Sequence, residues 1–381
     1  MSAPSWRVPF NRPSLTGRES GYIARAVELG HISGDGHFTR RCQEHLEKAL
    51  GVPRVLLTTS CTHALEMAAL LLDILPGDEV ILPSFTFVST ANAFALRGAR
   101  PVFADIDPMT LNMDPGSVEG LLSDRTRAIV PVHYAGVGCA MDRIGSLAAG
   151  RGIPVVEDNA HGLFGRYRGR PLGTLGALAT LSFHETKNLT CGEGGALVLN
   201  DPGLVERAEI LREKGTDRSR FFRGLVDKYS WVDLGSSWIP SDLLAAFLLA
   251  QLEDAPRIQE RRRVLWERYL ARLAPWAGDR GIRLPVVPPE CEQAYHMFYA
   301  ILPQAEARTR FLAHMKERGI LSVAHYVPLH GSPFGRRFAE GPDRCPVTTD
   351  VGLRLVRLPF FTSMSEGEQD AVLEAVTGFP G

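Results

Sequence analysis

The stretch RVLLTTSCTHALEMAALLL, residues 54–72, decides the fold. A short apolar run gives way to hydroxyl-bearing Thr58 to Thr62, after which Leu65, Ala68 and Leu72 mark the apolar face of a helix. The same pattern of strand, polar turn and helix recurs to Leu199, through EVILP (79–83), PVFAD (101–105), AIVPV (128–132), PVVED (154–158), ATLSF (179–183) and GALVLN (195–200). Seven such runs predict an α/β domain with a seven-stranded, mostly parallel sheet. Several are apolar throughout, as expected when helices cover both faces of the sheet. Ligands then gather at the strands' carboxyl ends.

After Ser241 the pattern changes to long helical stretches with a break or kink at Pro256, where proline removes a backbone donor. Leu265, Tyr269 and Leu273 recur at i, i+4 and i+8 and mark one buried face. Beyond Ile282 the runs MFYAIL (297–302) and LSVAHYV (321–327), with two more helices, predict a small α+β domain. The expected division is a large domain over 1–250, including the N-terminal segment, and a small one over 251–381. Residues 378–381, GFPG, read as a loose end.

Composition narrows the function. With 381 residues, 45% hydrophobic and 22% charged, the chain has the balance of an ordinary globular protein, which excludes disorder for most of it. Lys+Arg of 42 against Asp+Glu of 43 leaves a formal charge of −1 and no global field for a nucleic acid. Any phosphate must be held locally. The six cysteines are scattered, with no C-x-x-C pair, which argues against a zinc site or disulfide framework and predicts reduced thiols in a cytoplasm and no metal. The N-terminal residues lack a cationic and apolar leader, and no run reaches the ~18 apolar residues of a membrane span. A soluble cytoplasmic protein is expected.

Three features carry chemistry. Thr58 to Thr62 place hydroxyls and free N–H groups where a helix begins, a ready phosphate site that also reads as an ordinary Ser/Thr N-cap. Asp158 closes a central strand, where its carboxylate can pair with a protonated ring nitrogen or simply cap the next segment. Lys187 stands four residues beyond Phe183 and just before the Gly-rich turn of SFHETKNLTCGEGG (182–195). It reads as a Schiff-base amine or as a surface lysine, yet the chain holds only four others, Lys48, Lys214, Lys228 and Lys316. Together, in this order on an α/β sheet, the three describe a pyridoxal 5'-phosphate (PLP) site.

The chain resembles the PLP-dependent sugar aminotransferases of the DegT/StrS family from PFNRP near the start to RLPFF near the end. The similarity is strongest to the dTDP-4-amino-4,6-dideoxygalactose transaminases, through SGDGHFTRRCQ, TSCTHALEMAALLLDI, PSFTFVSTANAF, PVHYAGV, SFHETKN, EKGTDRSRFFRG and YVPLHGSP. The resemblance implies PLP-dependent fold type I, as in aspartate aminotransferase. It makes Lys187 the Schiff-base lysine and Asp158 the partner of the pyridine nitrogen. Thr62 and His63 fall at the phosphate-binding helix, Ser182 at the other phosphate contact, and Phe87 at the aromatic that stacks on the ring. His161 stands where many members carry Gln beside the ring oxygen. In GSSWIPSD (235–242) Ser237 replaces an Asn that reaches the neighbouring subunit's cofactor phosphate, and Ile239 replaces an Arg. The sugar nucleotide is expected at the Gly34 to Thr39 loop, Arg218, Arg223, Tyr326 and His330.

The implied reaction moves the amino group of L-glutamate to C4 of dTDP-4-keto-6-deoxyglucose, giving the 4-amino-4,6-dideoxygalactose or its C4 epimer. The implied assembly is a homodimer with shared sites, binding neither nucleic acid nor membrane. Three alternatives compete. Gly136 and Gly138 in AIVPVHYAGVGCAMD suggest a dinucleotide loop and a nicotinamide-dependent epimerase or dehydrogenase, but the third glycine is Met141. A non-catalytic ligand sensor would have no use for Lys187. A related dehydratase branch replaces that lysine by His, so Lys187 also argues against it.

Overall fold

The computed structural model describes residues 6–339 and 344–380. All the expected strands form: β1 (Arg54–Thr58), β2 (Glu79–Pro83), β3 (Arg100–Ala104), β4 (Thr126–Ile129), β5 (Val156–Asp158), β6 (Leu178–Ser182) and β7 (Gly195–Leu199). They pair in the orders β1-β7-β6-β5 and β3-β2-β4, and the parallel bridges Ile129↔Val155 and Val132↔Asp158 join the two groups. Strand β7 runs antiparallel to both neighbours, while the pairs β5–β6, β2–β3 and β2–β4 are parallel.

Alternation along β1 explains why its run is apolar throughout. Leu56 faces the Cys61–Leu71 helix in one core, while Val55 and Leu57 face the His37–Leu50 and Asp242–Glu253 helices in another. Both faces are dry. The Cys61–Leu71 helix starts at an extended Ser60, whose Oγ accepts from the His63 N–H at 3.1 Å. Gly195 lets this helix end lie flush on β7, because a Cβ there would sit 2.3 Å from the Cys61 nitrogen.

Pro256 falls in the first turn of Ala255–Gly278, directly after Asp242–Glu253 ends, so the expected break is a change of helix. Leu265, Tyr269 and Leu273 are buried in a separate core with Phe298, Phe311 and Phe361. Val8 joins this core, with its N–H and C=O bonded to Gly319 and Leu321, although the sequence places the N-terminal segment with the large domain. The strands Tyr299–Ile301, Leu355–Arg357 and Val323–Ala324 form an antiparallel sheet with Leu355–Arg357 in the middle. Among the described residues three α-helices follow Ile282 instead of two: Ala305–Glu317, Pro346–Arg354 and Glu366–Thr377. The additional one is the nine-residue Pro346–Arg354, opened by a proline in a stretch with loop-like composition. The C-terminus also corrects the sequence reading. Phe379 is buried against Phe311, ring centroids 5.2 Å apart, so hydrophobic docking ties the end down, and Gly381 lies outside the described residues. No helix among the described residues is long and apolar enough to cross a membrane.

Candidate active site

A cavity of about 440 Å³ opens at the carboxyl ends of β5 and β6, beside the start of the Cys61–Leu71 helix. Seven of the residues singled out in the sequence line it: Thr62, Phe87, Asp158, His161, Ser182, Lys187 and Tyr326. They come from widely separated stretches of the chain: the first six gather at one edge of the first sheet, and Tyr326 comes in from the second sheet, just after Val323–Ala324.

Burial lowers the Lys187 amine to about 8; nearby Arg357 pushes the same way, and Cys61 and Asp158 oppose it. A neutral amine, the form that adds to an aldehyde, is therefore accessible near neutrality. Asp158 is buried, and burial raises its carboxyl; bonds from the Thr90 hydroxyl at 2.7 Å and the Ala160 N–H at 3.2 Å pull the other way. Thr86 stands 2.9 Å behind Thr90 and completes a hydroxyl chain. This carboxylate has no cation within 4 Å among the described residues. A protonated ring nitrogen is the partner it fits.

At the start of the Cys61–Leu71 helix Ser60 supplies the cap, Thr62 donates to Ser89 at 2.8 Å, and Ser182 lines the same cavity. His63 does not line the cavity. Its ring bonds the Thr59 hydroxyl and packs towards Trp238, so a phosphate role is left to the helix end and not to its side chain. His161 lines the cavity with a buried Nδ1 that has no hydrogen-bond partner. An aromatic face, a lysine amine, an anion-ready helix end and these unspent polar groups fit PLP.

Other expected residues lie elsewhere. Thr39 is 0% exposed, and its hydroxyl and N–H both bond Asp242 Oδ1 at 2.7 Å. Its role is to anchor the His37–Leu50 helix, because a buried hydroxyl already spent on a carboxylate cannot contact substrate. Replacing it by the near-isosteric valine should lower stability by about 1–2 kcal/mol in a denaturant titration and leave the KM for both substrates unchanged. Gly34 packs under Ile239, whose Cγ2 a Cβ would meet at 2.0 Å. Arg218 and Arg223 are exposed and pair with Glu213 at 3.0 Å and Glu209 at 2.6 Å, away from the cavity. His330 bonds Ser84 at 2.6 Å and borders a different cavity with Arg336. Ser237 is exposed and bridges Glu213, outside its own chain's cavity. The suspected dinucleotide glycine, Gly136, has φ +87° and sits where a Cβ would meet Ala294 Cβ and the His161 carbonyl at 2.9 Å. Close packing explains it.

Sequence reasoning missed Thr90, His296, His325 and Arg357, all of which line the cavity. Thr90 lies inside PSFTFVSTANAF, seven residues beyond a strand end. Arg357 lies in the middle strand of the second sheet, its Nε buried and unpartnered and its guanidinium carbon 4.8 Å from the centroid of the Phe10 ring. No hydrogen bond or ion pair holds it among the described residues. Nothing local distinguishes it from the other arginines of this Arg-rich chain.

A lysine and a buried carboxylate at the carboxyl edge of such a sheet, with an anion-ready helix end, define a PLP-dependent enzyme of fold type I. Residues 13–377 match the model of the DegT/DnrJ/EryC1/StrS aminotransferase family, and the chain belongs to that family of PLP-dependent enzymes. It is 32% identical over 378 residues to the spore coat polysaccharide biosynthesis protein SpsC of Bacillus subtilis strain 168, covering 97% of this chain and 96% of that protein. Among solved structures it is similar to the aminotransferase TlmJ of Streptoalloteichus hindustanus (TM-score 0.88, 31% identity, 98% and 97% of the two chains). It is also similar to Spr1654 of Streptococcus pneumoniae in its PLP form (TM-score 0.89, 26% identity, 97% of each chain).

Proposed function

We propose that the protein transfers the amino group of L-glutamate to C4 of dTDP-4-keto-6-deoxyglucose, yielding 2-oxoglutarate and dTDP-4-amino-4,6-dideoxygalactose or its C4 epimer. The observation that carries this reading is the meeting of Lys187 with an unpaired Arg357 in one cavity. An α-amino acid carries a carboxylate on the carbon whose amine is exchanged, and a guanidinium is the side chain that grips a carboxylate in a bidentate fork. The sugar half of the proposal rests on the resemblance to the dideoxygalactose transaminases. Similarity to a polysaccharide biosynthesis protein supports it.

PLP supplies the electron sink that lets a carbon bearing an amine lose its proton. Lys187 would hold the cofactor through its amine and, when that amine is free, would act as the base that moves the proton. Asp158 would keep the ring nitrogen protonated, and the Ser60-capped helix end with Thr62 and Ser182 would hold the phosphate. The division into 1–250 and 251–381, a cytoplasmic location and a homodimer that shares its sites through the Ser237 segment belong to the same reading.

Incubating the protein with PLP, L-glutamate and the 4-keto sugar nucleotide should give an amino sugar whose C4 configuration NMR reads directly. No amino sugar from this pair, with activity on another keto acceptor, would overturn the substrate assignment. Arg357→Met should raise the KM for L-glutamate at least ~10²-fold while PLP uptake persists, because a charged hydrogen-bond partner of the carboxylate is lost. An unchanged KM would place the carboxylate elsewhere.

A further inference from the structure

His296 enters the cavity from the second core, on the segment just before the Tyr299–Ile301 strand. Its Nδ1 lies 2.9 Å from the Asn188 side-chain oxygen. The Asn188 amide nitrogen donates to the Ala294 carbonyl at 2.6 Å and to Gln259 Oε1 at 3.1 Å, which fixes the orientation of the amide. Its oxygen therefore faces His296 as an acceptor, so His296 carries its proton on Nδ1 and leaves Nε2 bare. The backbone is pinned as well, since buried Arg262 donates to the Tyr295 carbonyl at 2.8 Å and the His296 carbonyl at 2.6 Å.

This fixed ring stacks on His161, with centroids 4.3 Å apart and planes 18° from parallel. His161 follows Ala160, whose N–H bonds Asp158, and Asn188 follows Lys187. The stack thus ties the lysine's segment to the carboxylate's segment through a residue of the second core.

We propose that His296 is a positioning residue of this active site: held by Asn188, it fixes the plane of His161 and so the hydrogen bond that His161 offers to the cofactor's ring oxygen. The proposal rests on the PLP reading above. The charged and titratable groups facing the two rings are Lys187, Arg357, His325 and Tyr134, the last with its ring 6.1 Å from that of His161, and, behind His296, Arg262. Burial lowers both imidazoles, and Lys187 and Arg357 disfavour a positive charge on either ring, so the pair stays neutral while it orients.

The test uses the full chain loaded with PLP and follows the long-wavelength absorbance band against pH. His296→Ala removes the stack, whereas His296→Phe keeps a flat ring against His161 without the Asn188 bond. In the Ala variant the band's midpoint should move by about one pH unit, since a hydrogen bond to a titrating oxygen contributes on that scale. Its kcat with L-glutamate should fall roughly 10- to 100-fold with KM nearly constant, the signature of misplacement without lost binding. The Phe variant should recover much of both, and it carries the test alone if the Ala variant fails to fold. A folded variant that binds PLP on Lys187, loses thermal stability and keeps the parent's midpoint would overturn the proposal, because a merely structural role moves stability only. A wild-type chain that takes up no PLP would overturn the cofactor reading itself, a result distinct from an unshifted midpoint.

Discussion

Lys187→Ala is expected to abolish turnover, with a loss of more than roughly 10⁴-fold, because in the proposed mechanism one amine both bonds the cofactor and moves the proton. The other four lysines, Lys48, Lys214, Lys228 and Lys316, do not line the cavity, so no neighbour can substitute. The variant should still hold PLP without a covalent bond through the capped helix end. Borohydride reduction followed by mass measurement should fix the pyridoxyl group on the wild-type chain and not on the variant. A fixed group on the Ala variant would show that another lysine forms the imine. The same amine predicts a pH dependence for cofactor uptake. With its pKa lowered to about 8 from 10.5, the neutral fraction at pH 7 is about 300-fold greater than for an unperturbed lysine. Uptake should therefore rise with pH and level off above about 8.

Asp158→Asn should lower kcat by roughly 10²- to 10⁴-fold at nearly unchanged shape. Asn cannot hold the ring nitrogen's proton by charge, and the electron sink weakens accordingly. The Thr90 hydroxyl and Ala160 N–H that now stabilise the carboxylate would remain in place around a neutral amide. Stopped-flow measurement of band loss on mixing with L-glutamate reads this step directly. A variant within tenfold of the parent would place the essential carboxylate elsewhere.

The seven strands, their helices and the carboxyl-edge location of Lys187 and Asp158 follow from sequence because their signals are local. A β-branched or apolar run, a hydroxyl turn and a 3.6-residue stripe are each complete within about twenty residues. The Ser60 cap and the start of the helix at Cys61 are legible for the same reason. Thr39 illustrates the limit. Its hydroxyl looks as available as that of Thr62 in the sequence, and only the approach of Asp242, 203 residues away, spends it.

Arg357 and His296 show what tertiary structure alone decided. Each sits in the second core's sheet region, more than 100 residues from Lys187 in the chain, and reaches the cavity because that sheet packs against the carboxyl edge of the first. Even there, their roles depend on what surrounds them: a missing carboxylate partner for Arg357, and an amide of fixed orientation for His296. Local sequence specifies which side chains exist and which helix or strand bears them. Burial and the choice of partner are properties of the packed chain, and they determine which of those side chains remain free to meet a ligand.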